Sequence, residues 1–538
     1  MSYRGTASSP LAESASRRTF LQLTGVSSAA FLLGIGACPA PVSAAESLPA
    51  DPFTLGVASG DPLPDGVVLW TRLAPTPLDP EGRGGMPERD FAVSYEVATD
   101  ERFSTIVRRG TAVATPELGH SVHPEVKGLE PGRVYHYRFR VGKHVSRAGR
   151  TRTAPAAAIA PQKLAFASAS CQAWYEGYYT AYRHMVADEL DAIFFLGDYV
   201  YEYAIRAGAN LKRPVALGSE HAVKVRTLAQ YRLRYSLTKT DPDLQAAHAA
   251  AAWIVTWDDH EVENNYAGGV SQYKITEKEF LTQRAAAYQA FYENLPLRSV
   301  NTPNGPSARL YRTVSFGRLA DIHALDTRQY RNTYPDTNAS GVAQERHNPD
   351  RSILGAAQEQ WLTEALHSSR ANWNILANQV LMAQLDMGGA DDHLYFYDRW
   401  DGFTASRDRL VAAVLDAQPP NFAVLTGDLH RSTVAELRTD YDDPDASVIG
   451  VELACTSISS GTDGAATDTL AANWLSNEHI RLYNAQRGYL RFDLDKEGLH
   501  ADYRVLPYVS KENAPVSTLT RFTVPHGEPG VAQQSPLL

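Results

Sequence analysis

Cysteine is scarce in this 538-residue chain, which has three, at Cys38, Cys171 and Cys455. So few thiols exclude a disulfide-stapled scaffold, and 44% hydrophobic with 21% charged residues is the composition of a globular protein long enough for two or three domains. Basic residues are also in deficit, with 51 Lys and Arg against 61 Asp and Glu for a formal charge of −10. Residues 1–44 contribute +2 through Arg4, Arg17 and Arg18 against Glu13, which leaves −12 on the remainder. That balance argues against nucleic acid as a sequence-specific or non-specific partner, because such affinity comes from basic residues displacing counterions. Internal repeats are missing, and after residue 44 so is any apolar run of membrane-spanning length.

The first 44 residues read as an export signal. Ser16-Arg17-Arg18-Thr19-Phe20-Leu21 is a twin-arginine pattern, followed by an apolar run to about Gly36 and by Val42-Ser43-Ala44 as a cleavage site. The expected course is secretion through the twin-arginine machinery, with lipidation at Cys38 as an alternative. That route carries folded proteins, so a metal centre can be loaded before export. A thiolate ligand therefore competes with a disulfide as the role of Cys171.

From residue 45 to 155, short alternating strands and turn residues predict a small all-β module of the fibronectin III or immunoglobulin type. FTLGVAS, GVVLWTRL, FAVSYEVAT and VYHYRFRVG are its clearest strands. A Pro/Ala linker, 155–161, leads to a layered α/β domain over 160–525, and 526–538 form a tail. Apolar strands there end in polar clusters: LAFASASC at 164–171, AIFFLGD at 192–198, AWIVTWDDHE at 252–261, WNILANQ at 373–379 and FAVLTGD at 422–428. Helices are expected over 178–190, 222–235, 276–296 and 357–367. Ligands of such sheets bind outside the carboxyl ends of the strands.

Hydrolysis of a phosphoric ester requires shielding of the phosphoryl charge, a nucleophile made from water and stabilisation of the leaving oxygen, all of which paired metal ions can supply. The ordered clusters Cys171, Gly197-Asp198-Tyr199-Val200-Tyr201, Asp258-Asp259-His260-Glu261, Asn378-Gln379 and Gly427-Asp428-Leu429-His430 offer the donors. Taken singly, Cys171, Tyr201 and Asn378 are ordinary packing residues. Their order at successive strand ends makes metal binding the better reading.

That order resembles the calcineurin-like and purple-acid-phosphatase superfamily, and with FTLGVASGDPLPDGVVLWTRL, VTWDDHEVENN and ALDTRQYR it resembles the PhoD family of alkaline phosphatases and phosphodiesterases. The resemblance implies a metallophosphatase-type β-sandwich flanked by helices, with Asp198 as a bridging carboxylate. Cys171, Tyr201 and His430 would join it on ferric iron, while Asp259, Asn378 and Asp428 would serve one or two calcium ions; the split of Asp428 and His430 between metals stays open. Oxygen donors in place of imidazole favour calcium over zinc. His260 falls where the family has its catalytic His, protonating the leaving oxygen or hydrogen-bonding the phosphoryl group, with a metal-activated hydroxide as nucleophile.

The expected protein is thus a secreted, monomeric phosphomonoesterase and phosphodiesterase. Small phosphate esters, teichoic acid and phospholipid head groups are its candidate substrates. A calcium-dependent phospholipase D-type enzyme and a non-enzymatic, calcium-stabilised surface protein are the alternatives. Arg328, Arg431 and the loop His393–Asp401 are candidates for phosphate contact or pocket wall, with salt bridges and loop packing as competing roles.

Overall fold

The computed structural model describes residues 48–333, 342–388 and 393–534, so the expected export signal and Cys38 lie outside the described residues. Strands Lys163–Ala169, Ala192–Leu196 and Ala252–Thr256 are parallel neighbours. They are buried along nearly their whole lengths, as parallel strands covered on both faces must be. Arg487–Asp495, Gly498–Leu506, Ser517–Pro525 and Ala532–Gln534 extend this sheet antiparallel beyond Lys163–Ala169, so part of the expected tail forms its edge.

A second sheet runs in the order Arg312–Phe316, Ala320–Ala324, Trp373–Asn378, Phe422–Thr426, Val448–Ala454, Ser432–Arg438 and Ile480–Asn484. The two sheets pack face to face. Phe166, Phe194 and Ile254 from one share a continuous core with Ile322, Ile375, Leu425 and Val451 from the other. Helices Thr180–Ala187, Leu228–Lys239, Pro242–Ala250 and Glu277–Asn294 cover the outer face of the first sheet. Ala356–Ser368 and Thr404–Ala417 cover that of the second.

The helix starts are encoded locally. Thr227 with Gln230 and Thr276 with Glu279 form capping boxes, each satisfying backbone donors that the first turn leaves unpaired. Asp241 caps the helix that opens at Pro242, where a fixed φ and a missing N–H suit the first helical position.

The regular structure of residues 57–152 is β apart from one 3-10 turn at Pro116–Leu118, yet these strands do not close on themselves. Phe91–Ala98, Ile106–Ala114, Val134–Val141, His144–Val145 and Gly149–Arg152 make a separate five-stranded sheet. The strands facing it, Val57–Leu63 and Gly66–Arg72, belong to the first sheet of the α/β layers, with Ser59 opposite Ala252 in parallel register. Val57, Val67 and Leu69 pack on Val93, Val97 and Phe139, while Trp70, on the other face, donates its indole N–H to the Glu293 carbonyl at 3.0 Å. The Tyr135 hydroxyl accepts from the Glu130 N–H at 2.9 Å, the bond that defines a tyrosine corner. Ser47–Leu538 accordingly form one compact unit.

Phe166 sits at the centre of the sandwich, fully buried, stacked on Phe492 with ring centroids 4.7 Å apart and edge-on to Phe194 at 5.3 Å. Phe166→Ala is expected to lower unfolding free energy by about 3–5 kcal/mol, measured by chemical denaturation. A loss below about 1 kcal/mol would contradict this assignment of the core.

Candidate active site

The parallel strands of both sheets end at one edge of the sandwich, and the residues just beyond them turn sharply. Cys171, Asp198, Asp428 and His430 all have φ between 54 and 61°, a left-handed backbone that costs roughly 1–3 kcal/mol per non-glycine residue and gathers at functional sites. The turn at Gly197 (φ 104°) leaves no room for a side chain: a Cβ there would lie 2.4 Å from Cβ of Asp258. At Gly427 a Cβ would lie 3.0 Å from that of Ser170, so the two Gly-Asp pairs mark where strand ends approach most closely. Cys171 N–H donates to the Gly197 carbonyl at 3.1 Å, and Gln172 N–H to that of Asp198 at 3.0 Å. Ser460, beyond the second sheet, donates its hydroxyl to the Cys171 carbonyl at 2.8 Å.

These turns bring donors together in two overlapping sets. Cys171, Asp198 and His430 form one and Asp198, Asp259 and His260 the other, with the donor atoms of each set within 4.8 Å of one another. Tyr201 lies in the first: its hydroxyl donates to Asp198 Oδ2 at 2.9 Å and is 2.8 Å from the Ser460 hydroxyl and 3.3 Å from His430 Nε2. Asp428 extends the row from the second sheet, half-buried. Asn378 is buried at the neighbouring strand end; its amide N–H groups go to the Val380 carbonyl and the Thr426 hydroxyl, and its Oδ1 accepts from the Trp400 indole at 3.3 Å. Cys171 and Cys455 are both buried free thiols, so no disulfide joins them.

The electrostatics are those of crowded carboxylates. Burial, with the charges of Asp259 and Asp428, pushes Asp198 up to about 7. Asp428 is pushed up to about 6 by burial and by Asp259. Burial also raises the Cys171 thiol well above its ordinary value, with Asp198 adding to it. His430 moves the other way, down to about 3, through burial and the nearby Arg487, which leaves it as the neutral imidazole that ligates metals. Asp198 Oδ1 and Asp259 Oδ1 are buried without a hydrogen-bond partner among the described residues.

Several supporting groups were not legible as such in the motifs. Glu202 accepts from His260 Nδ1 at 2.8 Å and from the Asn264 N–H at 3.1 Å, fixing the imidazole so that Nε2 is its free nitrogen. Burial alone would lower the His260 pKa, but Asp259, Asp198 and Glu202 outweigh it and hold it well above the usual range. Glu261 accepts from the N–H groups of Asp198 (3.0 Å), Tyr199 and Asp258 (2.7 Å), locking two turns to each other. Arg328 is fully buried and paired with Asp258 at 2.6 Å and Asp398 at 2.8 Å. It and His260 hold Asp259 well below the ordinary carboxylate range against the effect of burial. Arg328 thus takes the salt-bridge role, and so does Arg431, held by Asp468 at 2.8 Å and the Tyr483 hydroxyl at 2.6 Å.

The residues fit bound metal. Two donor sets sharing one carboxylate, orphaned carboxylate oxygens and a neutral imidazole are what a cation pair requires, and a positive ion would reverse the upward pressure on Cys171, Asp198 and Asp428. A thiol, a phenol and an imidazole, of Cys171, Tyr201 and His430, gather on one side of Asp198, and the Asp259 carboxylate lies on the other. Cys171→Ser is therefore expected to lower the bound metal per chain in the purified protein, read by elemental analysis; an unchanged metal content would remove Cys171 from the ligand set.

Comparison with known proteins agrees with this geometry. Residues 166–503 match the model of the PhoD-like phosphatase family, and 38–155 match that of the PhoD-like phosphatase N-terminal domain. Alkaline phosphatase D of Bacillus subtilis (strain 168) is 44% identical over 501 residues, 92% of this chain and 84% of that protein. A solved structure of PhoD superposes with a TM-score of 0.87 at 44% identity, covering 92% of this chain and 94% of that one. Fold, motifs and overall similarity coincide across nearly the entire chain, which belongs to the PhoD-like phosphatase family.

Proposed function

We propose that this chain is an exported, metal-dependent phosphomonoesterase and phosphodiesterase of the alkaline phosphatase D type. The observation that carries the proposal is the pair of donor sets sharing Asp198, with the fixed imidazole of His260 in one of them. Cys171, Tyr201, Asp198 and His430 are suited to ferric iron, and Asp198, Asp259, Asn378 and Asp428 to calcium. Cations at these positions supply charge neutralisation for the phosphoryl oxygens and lower the pKa of water. Export through the twin-arginine route, implied by Arg17-Arg18, would let the folded chain acquire its metals first.

The chain's own groups supply orientation and proton handling. Glu202 and the packing of His260 against Tyr203, with ring centroids 5.2 Å apart, set the imidazole plane. With Nδ1 bonded to Glu202, Nε2 is the nitrogen that donates to a phosphoryl or leaving oxygen. Arg328 holds Asp258 and Asp259 in register, and Glu261 holds the Gly197–Asp198 turn against Asp258.

One preparation assayed on a chromogenic phosphomonoester, a phosphodiester and phosphatidylcholine vesicles is expected to cleave the monoester and diester at alkaline pH. Cleavage of lipid alone would favour the phospholipase D reading, and inactivity on all three the non-enzymatic one. His260→Ala is expected to lower kcat about 10²–10⁴-fold with metal content retained. Glu202→Gln should lower kcat by a smaller factor; wild-type turnover in both variants would contradict the assigned roles.

A further inference from the structure

We propose that Arg399 is the group that grips the phosphoryl oxygens of substrate and product, an assignment that rests on the phosphohydrolase reading above. The other cations beside the donor sets are committed to partners. Arg328 serves Asp258 and Asp398, and Arg431 serves Asp468 and Tyr483. Arg487 donates to the His430 carbonyl at 2.9 Å, the Ser457 hydroxyl at 2.7 Å and the Thr462 carbonyl at 3.0 Å. Lys224 faces Glu263 at 3.5 Å and Glu202 at 3.9 Å.

Arg399 differs from these three arginines in making no hydrogen bond among the described residues, and from Lys224, which also makes none, in facing one carboxylate where Lys224 faces two. Its guanidinium forms no hydrogen bond among the described residues, and its nearest charged contact is Asp428 Oδ2, 3.7 Å from Nε, beyond hydrogen-bonding distance. The side chain is 18% exposed, enough to meet a ligand without being lost to solvent. The guanidinium lies over the Phe396 ring, 5.2 Å from its centroid, and 6.0 Å from that of Trp474, so aromatic faces position it while leaving its N–H donors free.

The backbone around Arg399 is anchored on both sides. Asp398 is bound by Arg328 at 2.8 Å and by Arg331 at 2.7 Å. Trp400 is fully buried, with its indole directed at Asn378. Arg399 is thus an uncommitted side chain on a rigid segment, with its charge directed at an expected metal ligand. A phosphoryl group held at that centre meets a fork of N–H donors whose geometry matches two of its oxygens. The loop His393–Asp401 therefore serves as both wall and grip.

The test is calorimetric titration of inorganic phosphate into the metal-loaded full chain, comparing wild type with R399Q and R399K and measuring metal content on the same samples. R399Q is expected to weaken phosphate binding about ten- to hundredfold, and to raise KM for a chromogenic phosphomonoester in step, with metal content unchanged. R399K should remain impaired, since an ammonium cannot present the fork. Unchanged phosphate affinity in R399Q, or weakening that follows loss of metal, overturns the assignment. Calorimetry reads binding without turnover: a wild type that binds phosphate through Arg399 but cleaves no ester upholds this inference and overturns the proposed function alone.

Discussion

The structure depends on one electrostatic constraint, the crowding of Asp198, Asp259 and Asp428 at the converging strand ends, with Asp198 and Asp259 buried. Like charges in a poorly solvated crevice raise one another's pKa, which is visible at Asp198 and Asp428. At Asp259 the charges of Arg328 and His260 outweigh burial, so the unrelieved crowding falls on Asp198 and Asp428. A bound cation pair would resolve the rest. The remaining features can be understood as means of assembling that crowd and keeping it in place.

The assembly uses both sheets. Cys171, Asp198 and Asp259 follow strands of the first, while Asn378 ends one strand of the second and Asp428 and His430 follow another. Each sheet alone would present half a site. Their face-to-face core, centred on Phe166, therefore sets the distance between the halves, and left-handed turns at four of these residues aim the side chains inward. The N-terminal strands contribute by extending the first sheet and by burying Trp70 against the helix Glu277–Asn294, so the β module is part of the scaffold that supports the site.

Much of this was legible in the sequence because strand ends in such folds carry the ligands, and the motif order survives folding. All five apolar strands named from the sequence form, and the donors beyond four of them meet. Less legible was anything that depends on a distant partner. Gly66–Arg72 is buried at every position, a pattern of strands covered on both faces; its partner Val57–Leu63 joins the α/β sheet through Ser59 opposite Ala252, nearly two hundred residues away. Glu202 stood beside a recognised motif and Glu261 within one, but their targets, a ring nitrogen and a backbone N–H for Glu202 and three backbone N–H groups for Glu261, exist only in the folded chain. Arg328 and Arg399 were indistinguishable in type. Burial and committed carboxylates separate one from the other, and neither can be inferred from spacing.

Locating the elements tests most directly whether Asp198 organises a mixed metal centre. Crystals of the purified, metal-loaded protein measured on either side of the iron absorption edge, with a further data set at long wavelength for calcium, would place each ion. The account predicts an iron signal among Cys171, Asp198, Tyr201 and His430 and a calcium signal on the Asp259 side of Asp198. Zinc at both positions, or no anomalous scatterer within coordination distance of Asp198, would contradict it.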